Sequence, residues 1–123
     1  MKQIQISVDL LLTFAFMASN TKAAPTAFGV DGDTSNSTFY SIDLATGTGT
    51  TIGGTGGLKF GDVEALSFFG NTLYAIDDSS NQLITIHTTT GAGTAVGALG
   101  VSVAGPGLAI SASGDAFMGD RSG

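Results

Sequence analysis

Two groups of acidic residues in this chain are of types that could bind a metal ion. In the first, Asp31, Asp33 and Ser35 occupy alternate positions, which is the oxygen-rich start of a calcium loop. A loop of the EF-hand kind would also need a bidentate acid at its twelfth position, which is Ile42 here. The loop Asp77–Asn81 is equally rich in oxygen ligands. The sequence therefore predicts either weak calcium sites or ordinary turns, in which Asp and Asn bond to their own backbone.

The second group consists of Asp62 and Glu64, on either side of Val63 at the start of an apolar run. The positions 44 residues further along the chain are Pro106 and Leu108, and this lack of repetition favours a functional role for the two acids over a structural one. The alternative is a pair of solvated acids at the edge of a loop. We predict a ligand-binding role for Asp62 and Glu64.

Elsewhere the chain lacks the residue combinations of common catalytic sites. His87 is the only histidine, so no site with several histidine ligands can form within the chain. No Gly-x-Ser-x-Gly motif surrounds Ser67 or Ser111. The glycines of Gly53–Gly57 precede no Lys-Ser/Thr pair, as a phosphate loop would require. We therefore expect structural roles for these residues and no catalytic residue among them.

An internal repeat contains most of these residues. Phe39–Ser79 aligns without a gap with Leu83–Gly123, a spacing of 44 residues (83 − 39), and 11 of the 41 pairs are identical. Pro106 and Leu108 stand where the first copy has Asp62 and Glu64, so the repeat itself does not require acids there. A repeat of this length filled with short strands is typical of a β-propeller blade.

Apolar residues alternate at period two after residue 25, which predicts strands and no helix. Four strands make up the predicted unit: Val63–Phe69, Thr72–Asp77, Gln82–His87 and Gly93–Gly97. Partial units lie at Ala27–Asp31 and Ala116–Gly119. The fold class is therefore all-β, with about two four-stranded antiparallel blades.

The residues between the predicted strands also support an antiparallel all-β fold. Gly70-Asn71 predicts a two-residue hairpin turn of the mirror type. Asp43 can accept hydrogen bonds at the start of a turn that ends at Gly47, where glycine allows positive φ. In the second copy, His87 replaces Asp43 and Gly91 replaces Gly47, so we expect His87 in a surface turn.

Length and charge exclude several classes of protein. The chain has 123 residues, whereas a ring of four such blades needs roughly 176, so we expect a fragment or an assembly of copies. There is no cysteine and hence no disulfide. The net charge is −6, and Lys59 and Arg121 are the only basic residues after residue 23. This balance excludes a nucleic-acid surface and disfavours an anionic membrane surface.

The first residues have the pattern of a secretory signal. Lys2 precedes the apolar run Leu10–Ala18, and small residues at Ala23-Ala24 suit cleavage. The run is about half the length of a membrane span. We predict a signal peptide over residues 1–23 and export to the envelope or beyond; the alternative is an amphipathic or buried helix. The mature part, 24–123, would hold units 39–82 and 83–123 after a partial unit 27–38.

The ordered motifs LYAID, QLITI, TTTG and TAVG, together with FYSID, ATG and TTIG, resemble blades of secreted bacterial propellers of the NHL, YVTN and WD-like superfamily. They are most similar to an uncharacterised Gly/Thr-rich group with such repeats. The resemblance covers nearly all of residues 27–119. It implies that the strand starting beside Asp62 and Glu64 lines a central channel.

Three functions remain open from the sequence. We favour a non-enzymatic, exported module that binds an unknown extracellular ligand or protein, or serves a structural role. The second is part of a metal-dependent propeller hydrolase or lyase, with Glu64 among the ligands of a cation in the channel. The third is a truncated product without stable function. Incomplete blades at both ends would expose strand edges, so we expect the isolated chain to self-associate.

Overall fold

The structure, a computed structural model, describes residues 23–24, 26–32 and 35–121. These residues form nine β-strands and no helix, so the all-β expectation is confirmed. The strands are β1 (Thr26–Val30), β2 (Phe39–Asp43), β3 (Gly49–Ile52), β4 (Val63–Phe69), β5 (Thr72–Asp77), β6 (Gln82–Ile86), β7 (Gly93–Ala98), β8 (Gly107–Ile110) and β9 (Ala116–Gly119). Apart from Ala23, the predicted signal segment 1–23 lies outside the described residues. A helix with the length and hydropathy for a bilayer crossing is absent from the described ranges.

The strands form three antiparallel sheets in chain order. The first sheet has the order β1-β2-β3, the second β4-β5-β6-β7 and the third β8-β9. The second sheet contains the four predicted strands in the predicted order, with bounds that differ by one residue at the ends of β6 and β7. Within the described part of the chain the sheets do not close into a ring.

The φ angles and hydrogen bonds of the two predicted turns agree with the turn types that the sequence indicates. Gly70 has φ of 58° and Asn71 is not in the positive region, which is the pattern of a type II′ hairpin between β4 and β5. Asp43 Oδ1 accepts hydrogen bonds from the backbone N–H of Ala45 at 2.7 Å and of Thr46 at 3.3 Å. Both turn predictions are therefore confirmed.

The second sheet carries apolar residues on both faces, and each face is covered by a neighbouring sheet. On one face, Leu73, Ala75 and Ile84 are buried against Phe39 and other residues of the first sheet and its following loop. On the other face, a smaller cluster forms around Ile76, with Ala65, Val103 and the half-buried Leu99 and Leu108. Burial on two faces makes the second sheet the centre of the described structure.

Two polar loop residues, one in the first sheet and one in the second, each accept a hydrogen bond from the chain segment that follows their sheet. The buried Ser37 accepts a hydrogen bond from Val63 N–H through its Oγ at 2.9 Å. Asn81, the residue related to it by the repeat, accepts one from Val103 N–H through its Oδ1 at 2.7 Å. Asn81 has φ of 50°, a left-handed conformation that asparagine tolerates better than most residues. The same repeat position therefore has the same role twice.

The third sheet departs from the repeat at its hairpin. β4 and β5 are joined by two residues, whereas β8 and β9 are joined by the five residues Ser111–Asp115. Phe117 aligns in sequence with the buried Leu73, yet Phe117 is 64% exposed. The longer loop shifts the register by an odd number of residues, and such a shift moves a side chain to the opposite face of a sheet.

Candidate functional site

Three carboxylates meet at one end of the second sheet. Asp62 precedes β4 and Asp78 follows β5, so the antiparallel pairing of these strands brings the two residues together. Asp78 N–H donates to the carbonyl of Asp62 at 3.0 Å, and one carboxylate oxygen from each of Asp62, Glu64 and Asp78 lies within 4.8 Å of the other two. We call these three residues the acidic cluster.

Local backbone irregularities direct these side chains. The β4–β5 register shifts between Val63 and Ala65, so Glu64 is the extra residue of a β-bulge. Bulges re-aim a side chain relative to a regular strand. Asp62 has φ of 37°, which is uncommon for a residue with a Cβ. Both departures from strand geometry lie at the acidic cluster.

Segments from the other two sheets border the acidic cluster. A Cβ added to Gly32, which follows β1, would lie 3.2 Å from Asp62 Oδ1 and 3.4 Å from Glu64 Oε1. Gly105, which precedes β8, donates its N–H to Asp78 Oδ2 at 3.1 Å. The acidic cluster therefore lies where segments of all three sheets meet, and glycine at position 32 leaves space beside it.

Sequence reasoning identified two members of the acidic cluster and missed the third. The carboxylates of Asp62 and Glu64 lie close together, with Asp62 half-buried and Glu64 exposed, and their ligand-binding role stays a prediction. The sequence pattern places Asp78 only in an oxygen-rich loop. The antiparallel pairing of the predicted strands around Gly70-Asn71 was the signal that could have joined it to them. Three carboxylates offer hard oxygen ligands of the kind that Ca²⁺ and Mg²⁺ prefer.

The predicted calcium loop is only partly described. Asp31 accepts hydrogen bonds from Thr38 N–H through Oδ1 at 2.5 Å and from the Tyr40 hydroxyl through Oδ2 at 3.0 Å. Ser35 is exposed, and Asp33 lies outside the described residues. Asp31 therefore has the contacts of turn chemistry, and the calcium site stays a prediction.

Asp77, the repeat equivalent of Asp31, is buried within its own loop. Its carboxylate accepts hydrogen bonds from the hydroxyls of Ser79 and Ser80 and from the Gln82 side-chain amide. Burial by itself raises the pKa of Asp77, but the hydrogen bonds from Gln82, Ser79 and Ser80 outweigh it and lower the pKa below its ordinary value. Asp77 thus remains ionised and holds the β5–β6 loop together.

His87 lies in the surface turn that the repeat predicted. Its Nδ1 accepts hydrogen bonds from the N–H groups of Thr89 and Thr90, each at 3.3 Å. Gly91 closes the turn with φ of 72° and donates its N–H to the His87 carbonyl at 2.8 Å. The imidazole therefore replaces the Asp43 carboxylate as the acceptor of this turn.

A groove rich in hydroxyl groups recurs at the same place in two sheets. One groove, of about 340 Å³, lies on the first sheet, and another, of about 420 Å³, lies on the second. Five lining positions of each groove are related by the 44-residue repeat: Ser41 and Thr85, Asp43 and His87, Thr46 and Thr90, Thr48 and Ala92, and Thr50 and Thr94. Among the described residues, the lining of the two grooves includes no Phe, Tyr, Trp, Lys or Arg. Sequence reasoning missed these grooves, although the repeated threonines were visible.

Ser67 has a structural role that agrees with its recurrence in the repeat. Its Oγ accepts a hydrogen bond from Ile110 N–H in β8 at 3.1 Å, and this bond joins the second sheet to the third.

No family model, curated protein or solved structure matches the chain. The similarity to secreted propellers therefore stays an expectation from the sequence. The acidic cluster and the two grooves are the features from which a function can be argued.

Proposed function

We propose that the chain is an exported repeat protein with propeller-type blades that binds a neutral, polar polymer outside the cell or at its envelope. In this proposal the protein catalyses no reaction. The first and second sheets are blades that each present one copy of the same binding groove. Export rests on the signal pattern of residues 1–23 and the blade arrangement on the 44-residue repeat.

The recurrence of the hydroxyl-lined groove is the observation that carries the proposal. Thr50 and Thr94 are exposed at equivalent places on the two sheets, so each groove presents a threonine side chain to solvent there. Hydroxyls can both donate and accept hydrogen bonds, which suits the hydroxyls of a polysaccharide. The scarcity of lysine and arginine disfavours an anionic polymer. Two weak grooves on one chain can bind a repetitive polymer together more tightly than either alone.

Affinity electrophoresis tests this function with neutral polysaccharides, namely dextran, xylan and glucomannan, cast into native gels. We expect at least one of them to retard the full chain. Thr50 and Thr94 are equivalent groove residues, and the Thr50→Val/Thr94→Val variant keeps the β-branched shape while it removes both hydroxyls. Each lost hydrogen bond is worth about 1 kcal/mol, so the variant should bind at least about fivefold more weakly.

Thr51→Val is the matched control, because Thr51 is an exposed residue of β3 that does not line the groove. This control should be retarded like the natural chain. Equal retardation of the Thr50→Val/Thr94→Val variant and the natural chain, or no retardation in any of the gels, would contradict the proposal.

The acidic cluster favours a second candidate, a cation-dependent propeller hydrolase or lyase. Asp62, Glu64 and Asp78 would hold a divalent cation, which would supply a Lewis acid and lower the pKa of a bound water. The Asp78 oxygen that accepts from Gly105 N–H is already positioned, and Glu64 is exposed and so open to solvent.

Calorimetric titration with CaCl2 and MgCl2 tests this candidate. We expect binding with Kd of about 10⁻⁴ to 10⁻³ M, as in extracellular calcium modules, and at least about tenfold weaker binding by Glu64→Gln. Asp115→Asn, in the β8–β9 loop, is the control that should bind like the natural chain. Cation-dependent hydrolysis of a lactone, lost in Glu64→Gln, would favour the enzyme; no heat of binding would exclude the candidate.

A further inference from the structure

We propose that the two grooves differ in their response to acid: protonation of His87 loosens the second groove in mild acid, whereas the first groove is unchanged. Polymer binding by the chain then weakens as the pH falls from 8 to 5. The inference rests on the proposed function for its ligand, but the change at His87 can be measured without any polymer.

The imidazole of His87 is a hydrogen-bond acceptor in the structure, and only an unprotonated ring nitrogen can accept. Nδ1 accepts from the N–H groups of Thr89 and Thr90, each at 3.3 Å. In a neutral imidazole one nitrogen donates and the other accepts, so the proton of this ring belongs on Nε2. Protonation turns both nitrogens into donors, and the two backbone N–H groups then lose their acceptor. Histidine is the side chain that ordinarily gains its proton between pH 5 and 8.

The turn that contains His87 forms part of the wall of the second groove. Thr88 and Thr90 of this turn line the groove together with His87 itself and with Asn71 and Thr72 at the start of β5. The position of Thr90 depends on the ring, because its own N–H is one of the two donors to Nδ1. Loss of this hydrogen bond therefore removes a restraint on residues that line the groove.

Two backbone hydrogen bonds hold the ends of the same turn without help from the ring. His87 N–H donates to the Ala92 carbonyl at 2.9 Å, and Gly91 N–H donates to the His87 carbonyl at 2.8 Å. Protonation of the ring leaves both of these bonds intact. We therefore expect a local change at the tip of the turn, with β6 and β7 still paired.

The first groove has a carboxylate at the equivalent position. Asp43 Oδ1 accepts from the N–H groups of Ala45 and Thr46 at 2.7 and 3.3 Å, as His87 Nδ1 does in the second groove. An aspartate side chain is ordinarily still ionised at pH 5, so it continues to accept hydrogen bonds there. The repeat thus builds one turn in two versions, and only the version with histidine loses its acceptor in mild acid.

The described surroundings of His87 contain no second group that changes its charge in this range. His87 is the only ionisable residue that lines the second groove. The loop between β3 and β4 packs on the turn, where Gly91 lies against the Ile52 carbonyl, and its charged residues are Lys59 and Asp62. Lys59 is exposed, and a lysine ordinarily keeps its charge between pH 5 and 8. Asp62 belongs to the acidic cluster, at the opposite end of the second sheet.

Nitrogen-15 NMR of the full chain tests the change at His87 without a ligand. At pH 8 the ring nitrogens should show the tautomer with its proton on Nε2. As the pH falls to 5, the amide protons of Thr89 and Thr90 should shift in step with the titration of the ring, whereas those of Ala45 and Thr46 should not. A ring protonated on Nδ1 at pH 8, or Thr89 and Thr90 amides that do not follow the ring, would overturn the proposal.

Affinity electrophoresis at pH 8 and pH 5 tests the consequence for binding, with each mobility compared with that in a gel without polymer. The natural chain should bind a retarding polysaccharide at least about fivefold more weakly at pH 5, which corresponds to one hydrogen bond of about 1 kcal/mol. His87→Asp gives the second turn the acceptor of the first, so its affinities at the two pH values should be nearly equal. Asp43→His makes the first turn sensitive as well, so its loss at pH 5 should exceed that of the natural chain.

The two measurements separate this proposal from the proposed function. A His87→Asp variant that loses as much affinity at pH 5 as the natural chain would overturn the pH dependence assigned to His87. Absence of retardation in every gel at both pH values would contradict the binding of a neutral polymer. The NMR titration would then still show whether protonation of His87 releases the turn.

Discussion

At the scale of single residues, the acidic side chains divide into two kinds. Asp31, Asp43 and Asp77 accept hydrogen bonds from groups in or next to their own loops, so these carboxylates stabilise local turns. Asp62 and Glu64 lie together with a third carboxylate from another loop. Only the second kind depends on tertiary structure, which explains why the turn residues were predictable and the full acidic cluster was not.

The pH dependence of stability should reveal the Asp77 network. The pKa of Asp77 is lower in the folded chain than its ordinary value of 3.8, so its contribution to the free energy of unfolding is present above that value. The contribution is lost as the pH falls through the lower, folded-state pKa. We expect Asp77→Asn to cost about 1.5 kcal/mol at pH 7 and progressively less below about pH 4, measured by urea unfolding.

The Ser79→Ala/Ser80→Ala variant is the control for this network, because it keeps the Asp77 carboxylate and removes two of its donors. Its stability should lie between those of the natural chain and Asp77→Asn at neutral pH. Parallel stability curves for the natural chain and Asp77→Asn from pH 7 to pH 3 would show that ionised Asp77 does not stabilise the fold.

At the scale of strands and turns, the sequence was a reliable guide wherever local chemistry decides the structure. The bounds of β4 and β5 were predicted correctly, because alternation and the Gly70-Asn71 turn define both strands and their register. The repeat aligns Phe117 with the buried Leu73, whereas the structure leaves Phe117 exposed. Loop length outweighed sequence similarity there, because serine and aspartate side chains in Ser111–Asp115 stabilise a longer hairpin loop.

Amide hydrogen exchange should be slower in strands that have a neighbouring strand on both sides than in exposed strands. β5 and β6 have a strand on each side and buried residues such as Ala75 and Ile84, whereas the residues of β9 are all exposed. We expect the amides of β5 and β6 to exchange more than about tenfold more slowly than those of β8 and β9 at low protein concentration. Mass spectrometry of peptides resolves the two regions. Equal exchange in both would mean that the chain opens only as one unit.

At the scale of the whole molecule, the repeat predicted the class of the fold and the content of its central sheet. It did not predict which segments of the neighbouring sheets would border the acidic cluster, because these contacts combine residues that are distant in the chain. Gly32 beside Asp62, and Gly105 bonded to Asp78, are such combinations. Contacts of this kind follow from the packing of one sheet against the next, which a pattern within one unit cannot specify.

The paired loop residues Ser37 and Asn81 have a mechanical consequence. Each reaches forward from one sheet to hold the chain that enters the next, at Val63 and at Val103. A force that pulls on the two chain ends would load these two hydrogen bonds separately, because they lie at different points along the chain. The sheets would then detach one after another under tension, and each release would lengthen the molecule by a single repeat unit while the remaining sheets stayed folded.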